Sequence, residues 1–200
     1  MSVIPAAFFL QMDVVSLANQ LIGCRLNTII DGKFCSGTVI ETEAYAGETD
    51  KASHAFGGRK SARTSVMYKE GGIAYVYFCY GMHYLFNVVT AVEGVPHAIL
   101  IRALLPVEGI ETMQNRRGSK VKFSQLTNGP GKLTKAMGIG KSHNGLTLER
   151  GHIWFEETSE KLKGEIVATP RIGIDYAEED ALLPYRFVWM PSKSHKEKLI

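Results

Sequence analysis

The chain has 200 residues, 45% of them hydrophobic and 22% charged, with a formal net charge of +3. That length can bury a core within one domain spanning residues 1–200, and the balance is that of an ordinary globular protein, which excludes disordered and fibrous classes. The pI near 8.7 permits a polyanionic partner without demanding one.

No stretch reaches the roughly 18–20 apolar residues of a membrane span, so no membrane association is expected. The cysteines, Cys24, Cys35 and Cys79, lack C-x-x-C spacing and suggest neither a disulfide framework nor a structural zinc site. A reducing, intracellular compartment suits them: the cytoplasm, with nucleoid association if the source is prokaryotic. The opening "MSVIPAAFFLQMD" has an apolar run without a preceding positive charge, which fits a docked arm better than a signal peptide.

In chain order, "DVVSLANQLIG" (13–23) predicts a helix, with Asp13 as N-cap, Val14, Leu17, Ala18, Leu21 and Ile22 on one face, and Gly23 as the stop. Strand-like runs follow at Cys24–Ile30 and Phe34–Tyr45, joined by the turn pair Asp31-Gly32. Residues 46–72 are polar and rich in Gly, Arg and Lys, which suggests a loop excursion without packed structure. "YVYFCYGMHYLFN" (75–87) predicts a hairpin turning at Tyr80-Gly81-Met82, where turn chemistry would ask for Asn, Asp or Gly in place of Tyr80. The strand "HAILIRALL" (97–105) comes next, then a helix expected from Pro106, then a basic loop, then a short helix with Pro130 in its first turn. Short strands and a charged tail, "SKSHKEKLI", complete the chain. The fold class is α+β, a single domain around a mostly antiparallel curved sheet with flanking helices and a protruding β-hairpin.

Polar residues interrupt the strands where a core is expected. By a period of two, Val39, Glu41, Glu43 and Tyr45 share one face, and two carboxylates beside an aromatic do not make a core. Arg102 breaks the apolar run "AILIRALL" and must be paired, and Asn87 must find hydrogen-bond partners. Arg102 can form a structural ion pair with Glu41 or Glu43 while Asn87 bonds a backbone. Alternatively these residues floor a pocket, where a carboxylate held by an arginine orients a water and accepts its proton.

His54 lies in a loop with Arg59, Lys60 and Arg63, and a lone loop histidine is more often solvated than functional. No histidine has partner spacing for a metal, and none is expected. "NGPGKLT" resembles a phosphate loop, but Lys132 is followed by Leu133 and not by Ser or Thr. Lys132 can still meet a phosphate at a helix start. Arg116, Arg117, Lys120 and Lys122 form a charge run whose default is a solvated loop.

Together these residues resemble the alkylpurine (3-methyladenine) DNA glycosylase family of the mammalian type. "IETEAYAGETDKASHAFGGR" is similar to that family's signature around its catalytic glutamate, "AYVYFCYGMHYLFNV" to its intercalating hairpin, and "ILIRALLPVEGIETM" to the strand and helix that follow. The resemblance implies base-excision hydrolysis of the N-glycosidic bond of damaged purines without metal or organic cofactor. The expected partner is double-stranded DNA containing such purines, bound by a monomer. By position it implies Glu43 as the residue that activates water and Arg102 as the one that helps hold it. Tyr45, His54 and Tyr77 match the walls around the flipped base, Asn87 the residue that rejects guanine, and Tyr80 the side chain inserted into the duplex. Arg59, Arg63 and Lys132 are candidates for the DNA backbone. His83 and Leu85 depart from the mammalian pattern, which bears on the range of lesions accepted. Two other classes fit the residues: a non-catalytic nucleic-acid binding module, and a metal-dependent nuclease or phosphatase built on Glu41, Glu43 and Asp50.

Overall fold

The computed structural model describes residues 2–160 and 162–192, so the end of the charged tail, residues 193–200, lies outside the described residues. The entry arm docks as expected: β1 (Ser2–Val3) pairs with a later strand, and a 3-10 turn over Ala6–Leu10 buries Phe9. In helix α1 (Val14–Gln20), Asp13 Oδ1 accepts from the Ser16 N–H at 2.9 Å, the N-cap contact that satisfies an otherwise orphan donor. Strands β2 (Arg25–Ile30) and β3 (Lys33–Tyr45) are joined by Asp31 and Gly32 at φ +55° and +67°. Two left-handed residues are what the two-residue hairpin needs, because that turn's twist matches the twist of its strands.

Next come β4 (Ile73–Cys79) and β5 (His83–Thr90), then β6 (His97–Glu108), α2 (Ile110–Arg117) and α3 (Pro130–Met137). The chain continues with β7 (Ile153–Glu157), β8 (Gly164–Thr169), a 3-10 run over Asp175–Leu182, and β9 (Arg186–Pro191). Among the described residues the strands form one antiparallel sheet in the order β1-β7-β2-β3-β6-β5-β4, with β9 bridging β3 and β8.

The long strand β3 organises the molecule. One edge pairs with β6; the other pairs first with β2 and then, over Glu41–Glu43, with β9. The register shifts between Val39 and Glu41, and Ile40 faces no partner, as in a β-bulge. This corrects the expected alternation. Val39 and Ala44 both belong to the main core, although strict alternation would put them on opposite faces. The bulge resets the phase, so Val39 does not share the face of Glu41, Glu43 and Tyr45.

Alternation then sorts the neighbouring strands. Ala74, Val76, Phe86, Val88, Ile99 and Ile101 join the main core with α1, α2 and α3. Tyr75, Tyr77, Asn87, Ala98, Leu100 and Arg102, one residue out of step, line a cleft.

Three further expectations are corrected. Residues 46–72 are packed: Ala55, Val66, Met67 and Tyr68 join Tyr75, Val89 and Ala98 in a second core. The polar composition conceals this, because short 3-10 turns space the apolar residues irregularly. The helix expected from Pro106 begins at Ile110, since Pro106 is still in β6, opposite Gly37. Pro106 brings no N–H to that ladder position, and Gly37 has no side chain to crowd it. Of the charge run, Lys120 and Lys122 are exposed as expected, but Arg116 and Arg117 are half-buried and bonded. Arg116 donates to the carbonyls of Ala136 and Ile30 at 3.2 and 3.0 Å, and Arg117 to that of Leu126 at 3.1 Å, satisfying acceptors that turns and a helix end leave open.

Candidate active site

The cleft has a volume of about 460 Å³ and is walled by β4, β5, β6, the 46–72 segment and residues 172–176. At its floor Arg102 lines the cleft, and Glu43 and Glu41 lie behind the lining, bonded to Arg102. Glu43 is 0% exposed and held between β6 and β9 by the β3 ladders. Its Oε1 accepts from the Ile172 N–H at 2.8 Å, and its Oε2 accepts from the Tyr45 hydroxyl at 2.8 Å and lies 3.2 Å from Arg102 Nη1. Glu41 is the second anchor. Its Oε1 accepts from Arg102 Nε at 2.8 Å and from Arg186 Nε at 2.7 Å. Arg102 thus satisfies both expectations at once: it is ion-paired with both glutamates, and it lines the cleft.

Burial is tolerable here because every charge is answered. Burial works against the Arg102 guanidinium, but Glu43 and Glu41 outweigh it and hold its pKa above the usual arginine range. For Tyr45, burial and then the Glu43 charge push the phenol well above its ordinary value. It keeps its proton and donates it to Glu43.

Behind Tyr45 lies a residue that the sequence did not single out. Arg171 is 5% exposed and forms a two-pronged pair with Asp50, its Nη2 donating to Oδ1 at 2.8 Å. It also donates to the Ala44 carbonyl at 2.8 Å, and its Cζ sits 4.9 Å from the Tyr45 ring centroid. Arg171 thus lies over the Tyr45 ring and does not itself line the cleft. Its neighbour Ile172 supplies the amide that holds Glu43. The signal was a lone arginine in "TPRIGIDY", invisible without the tertiary pairing.

The walls are aromatic. His54 is half-buried, not solvated, and packs edge-on against Tyr77 with centroids 4.7 Å apart. Its Nε2 lies 3.2 Å from Arg63 Nη2, and its Nδ1 lies 2.9 Å from the Tyr75 hydroxyl. A guanidinium only donates, so Nε2 is the acceptor and the ring proton sits on Nδ1. Burial first, then Arg63 and Arg59, push His54 down to about 4, so the ring is neutral near pH 7. Tyr75, buried beside it, was not singled out from the sequence, although it shares a phase with Tyr77. Asn87 lies opposite Tyr75 and donates its Nδ2–H to the Tyr75 carbonyl at 3.1 Å, while its side chain lines the cleft.

Tyr80 stands at the mouth, 84% exposed on the tip of the β4–β5 hairpin. It and Gly81 are left-handed, at φ +51° and +67°, and the Met82 N–H bonds the Cys79 carbonyl at 3.2 Å. An Asn-Gly pair would take that conformation with little strain; a tyrosine pays on the order of 1–3 kcal/mol for it. Arg59 and Arg63 are exposed, and Arg63 reaches the cleft. Lys132, in the first turn of α3, is exposed, donates to Asn128 Oδ1 at 3.0 Å, and does not line the cleft. The carboxylates weighed as metal ligands are committed elsewhere: Glu41 to two arginines, Glu43 to Arg102, Tyr45 and Ile172, and Asp50 to Arg171.

The model of the family described as Methylpurine-DNA glycosylase (MPG) matches residues 7–193. The chain is 50% identical to a Chlamydia felis protein named "Putative 3-methyladenine DNA glycosylase", over 96% of this chain and 99% of the relative. A relative of the same name from Chlamydia pneumoniae is 49% identical over 94% of this chain and 96% of its own. One from Bacillus cytotoxicus is 44% identical over 90% and 92%. With the family model spanning most of the sequence and relatives matched along nearly their whole lengths, the chain belongs to the methylpurine-DNA glycosylase family and is a base-excision repair DNA glycosylase.

Proposed function

We propose that the cleft receives a damaged purine flipped out of duplex DNA, and that Glu43 activates a water to hydrolyse its N-glycosidic bond. Water adds its oxygen to the sugar carbon as the C–N bond breaks and its electron pair leaves with the base. The proton that the water gives up passes through Glu43 to a neutral departing base such as hypoxanthine, or to solvent when the lesion is already cationic. The freed base and an abasic site result. One observation carries the reading: a fully buried carboxylate bonded to three residues of an aromatic cleft, Tyr45, Arg102 and Ile172. Arg102 holds the water, Tyr45, Tyr77 and His54 enclose the base, and Asn87 crowds the exocyclic amino group that guanine carries and hypoxanthine lacks.

Flipping a base costs a few kcal/mol, and an exposed aromatic wedge can fill the vacated stack. Tyr80 supplies that wedge. Arg59, Arg63 and Lys132 contact phosphates. Among the described residues no lysine lines the cleft, which favours direct attack by water over an imine intermediate. The enzyme acts as a single-domain monomer, and the partner is double-stranded DNA carrying alkylated or deaminated purines.

The test is incubation with hypoxanthine-containing and methylated duplexes, with and without EDTA, scoring abasic sites. Excision that survives EDTA is expected. Binding without excision would leave a nucleic-acid module, and loss with EDTA would point to a metal.

A further inference from the structure

The guanidinium groups around the cleft are not equivalent. Arg102 is paired with Glu41 and Glu43, and Arg171 with Asp50. Arg63 is exposed and lines the cleft, yet among the described residues no carboxylate pairs with it. Its partners are the ring nitrogen of His54 at 3.2 Å, the face of Tyr77, 4.6 Å from Cζ to centroid, and the Tyr75 hydroxyl. His54 is neutral, and burial pushes the Tyr77 and Tyr75 phenols up, so all three partners are uncharged near pH 7. A flat guanidinium on that ring occupies the place where a purine would stack.

We propose that Arg63 is a specificity-determining plug: it covers the stacking face of Tyr77 in the free protein and leaves when a DNA phosphate offers a charged acceptor. The cleft then favours a base delivered on a strand over the same purine free in solution. This rests on the cleft being the lesion pocket. The guanidinium is a charged donor whose present partners carry no charge; a phosphate adds charge–charge attraction and a two-pronged fit, so it can draw the guanidinium off an imidazole nitrogen and a ring. A free purine brings no phosphate and must displace Arg63 unaided. After cleavage the returning side chain disfavours rebinding of the released base. The clamped arginines at the floor cannot exchange partners this way, because their carboxylates are buried with them.

The experiment titrates free hypoxanthine into the wild type, Arg63→Ala and Arg63→Gln, followed by tyrosine-ring NMR shifts, beside lesion-duplex binding across a salt series. Both variants should bind the free base roughly two- to fivefold more tightly, the range of one cation–π contact. Both should bind the lesion duplex more weakly, with a log–log salt slope shallower by about 0.9. A mere surface cation would move the duplex data and leave the free base unaffected. Free-base affinity that is unchanged, weaker or undetectable in all three proteins overturns the proposal. So does a wild-type His54 proton found on Nε2 by nitrogen-15 NMR, a measurement that needs no variant. Failure of the glycosylase reading is distinct: the wild type would then release no base from any lesion duplex, whereas a failed plug leaves excision intact.

Discussion

The floor and the rim of the cleft are built on opposite principles. At and behind the floor, Arg102 and, out of the lining, Glu43, Glu41, Arg171 and Asp50 are buried or nearly so, and each charge is answered by another within hydrogen-bond distance. At the rim, Tyr80 and Arg63 are exposed, held by few contacts, and in Tyr80's case kept in a costly backbone conformation. The chemistry proposed above is locked into the sheet, while the contacts proposed to form with DNA are left loose. Floor substitutions should therefore alter rate or folding, and rim substitutions should alter binding with the fold intact.

The largest expected effect is on rate. Glu43→Gln should lower single-turnover excision from a hypoxanthine duplex by about 10²–10⁴-fold, the usual general-base contribution, while lesion binding persists. A mutant within about twofold of wild type, roughly 0.4 kcal/mol, would remove Glu43 from the mechanism. Asp50→Ala should instead unfold the floor, because Arg171 is left as an unanswered buried charge. The expected loss is about 3–5 kcal/mol, a fall in melting temperature on the order of 10 °C. A melting curve superimposing on wild type would show that this pair does not support the floor.

Asn87→Ser sits between the two regions. Release of normal guanine from mispairs should rise by roughly tenfold, the scale on which a pocket discriminates small groups. Some stability is lost with the bond to the Tyr75 carbonyl. No gain by a folded mutant would end the gatekeeper role. At the rim, Tyr80→Ala should change stability by no more than about 0.5 kcal/mol, yet flip a lesion poorly. Fluorescence of a 2-aminopurine beside the lesion reads the flipping. A destabilised variant whose folded fraction flips normally would place Tyr80 among packing residues.

The smallest effect concerns pH. Burial, then Arg63 and Arg59, push His54 down to about 4 in the folded protein, below the ordinary 6.5, so between those values the unfolded chain binds a proton that the folded one does not. Its contribution is fully present above pH 6.5 and is lost as pH falls toward 4. The His54→Asn protein should therefore melt with a shallower pH dependence over that window, and NMR titration of His54 gives the value directly. A His54 that titrates near 6.5 contradicts the packing drawn here.

Local elements were legible because their causes are local. Asp13 caps α1, Asp31-Gly32 turns the first hairpin, Tyr80-Gly81-Met82 turns the second, and Pro130 opens α3. Arg102 and Asn87 stood out because strands with an apolar pattern rarely carry such groups unanswered. The 46–72 segment misled, since its buried residues follow neither a helical nor a strand period. The motifs around Glu43, the hairpin and β6 made the family recognisable.

The sequence by itself determined the strands, the caps, the hairpin tip and the residues that had to find polar partners. Which partners they found was decided only in three dimensions. Glu41 and Glu43 lie two residues apart on one strand face, yet Glu43 is the one sealed and held by Ile172, while Glu41 is shared between Arg102 and Arg186. That choice is made by the 171–172 segment and β9, more than 120 residues along the chain. It cannot be read locally, because burying a charge is settled by the charges that fold in beside it.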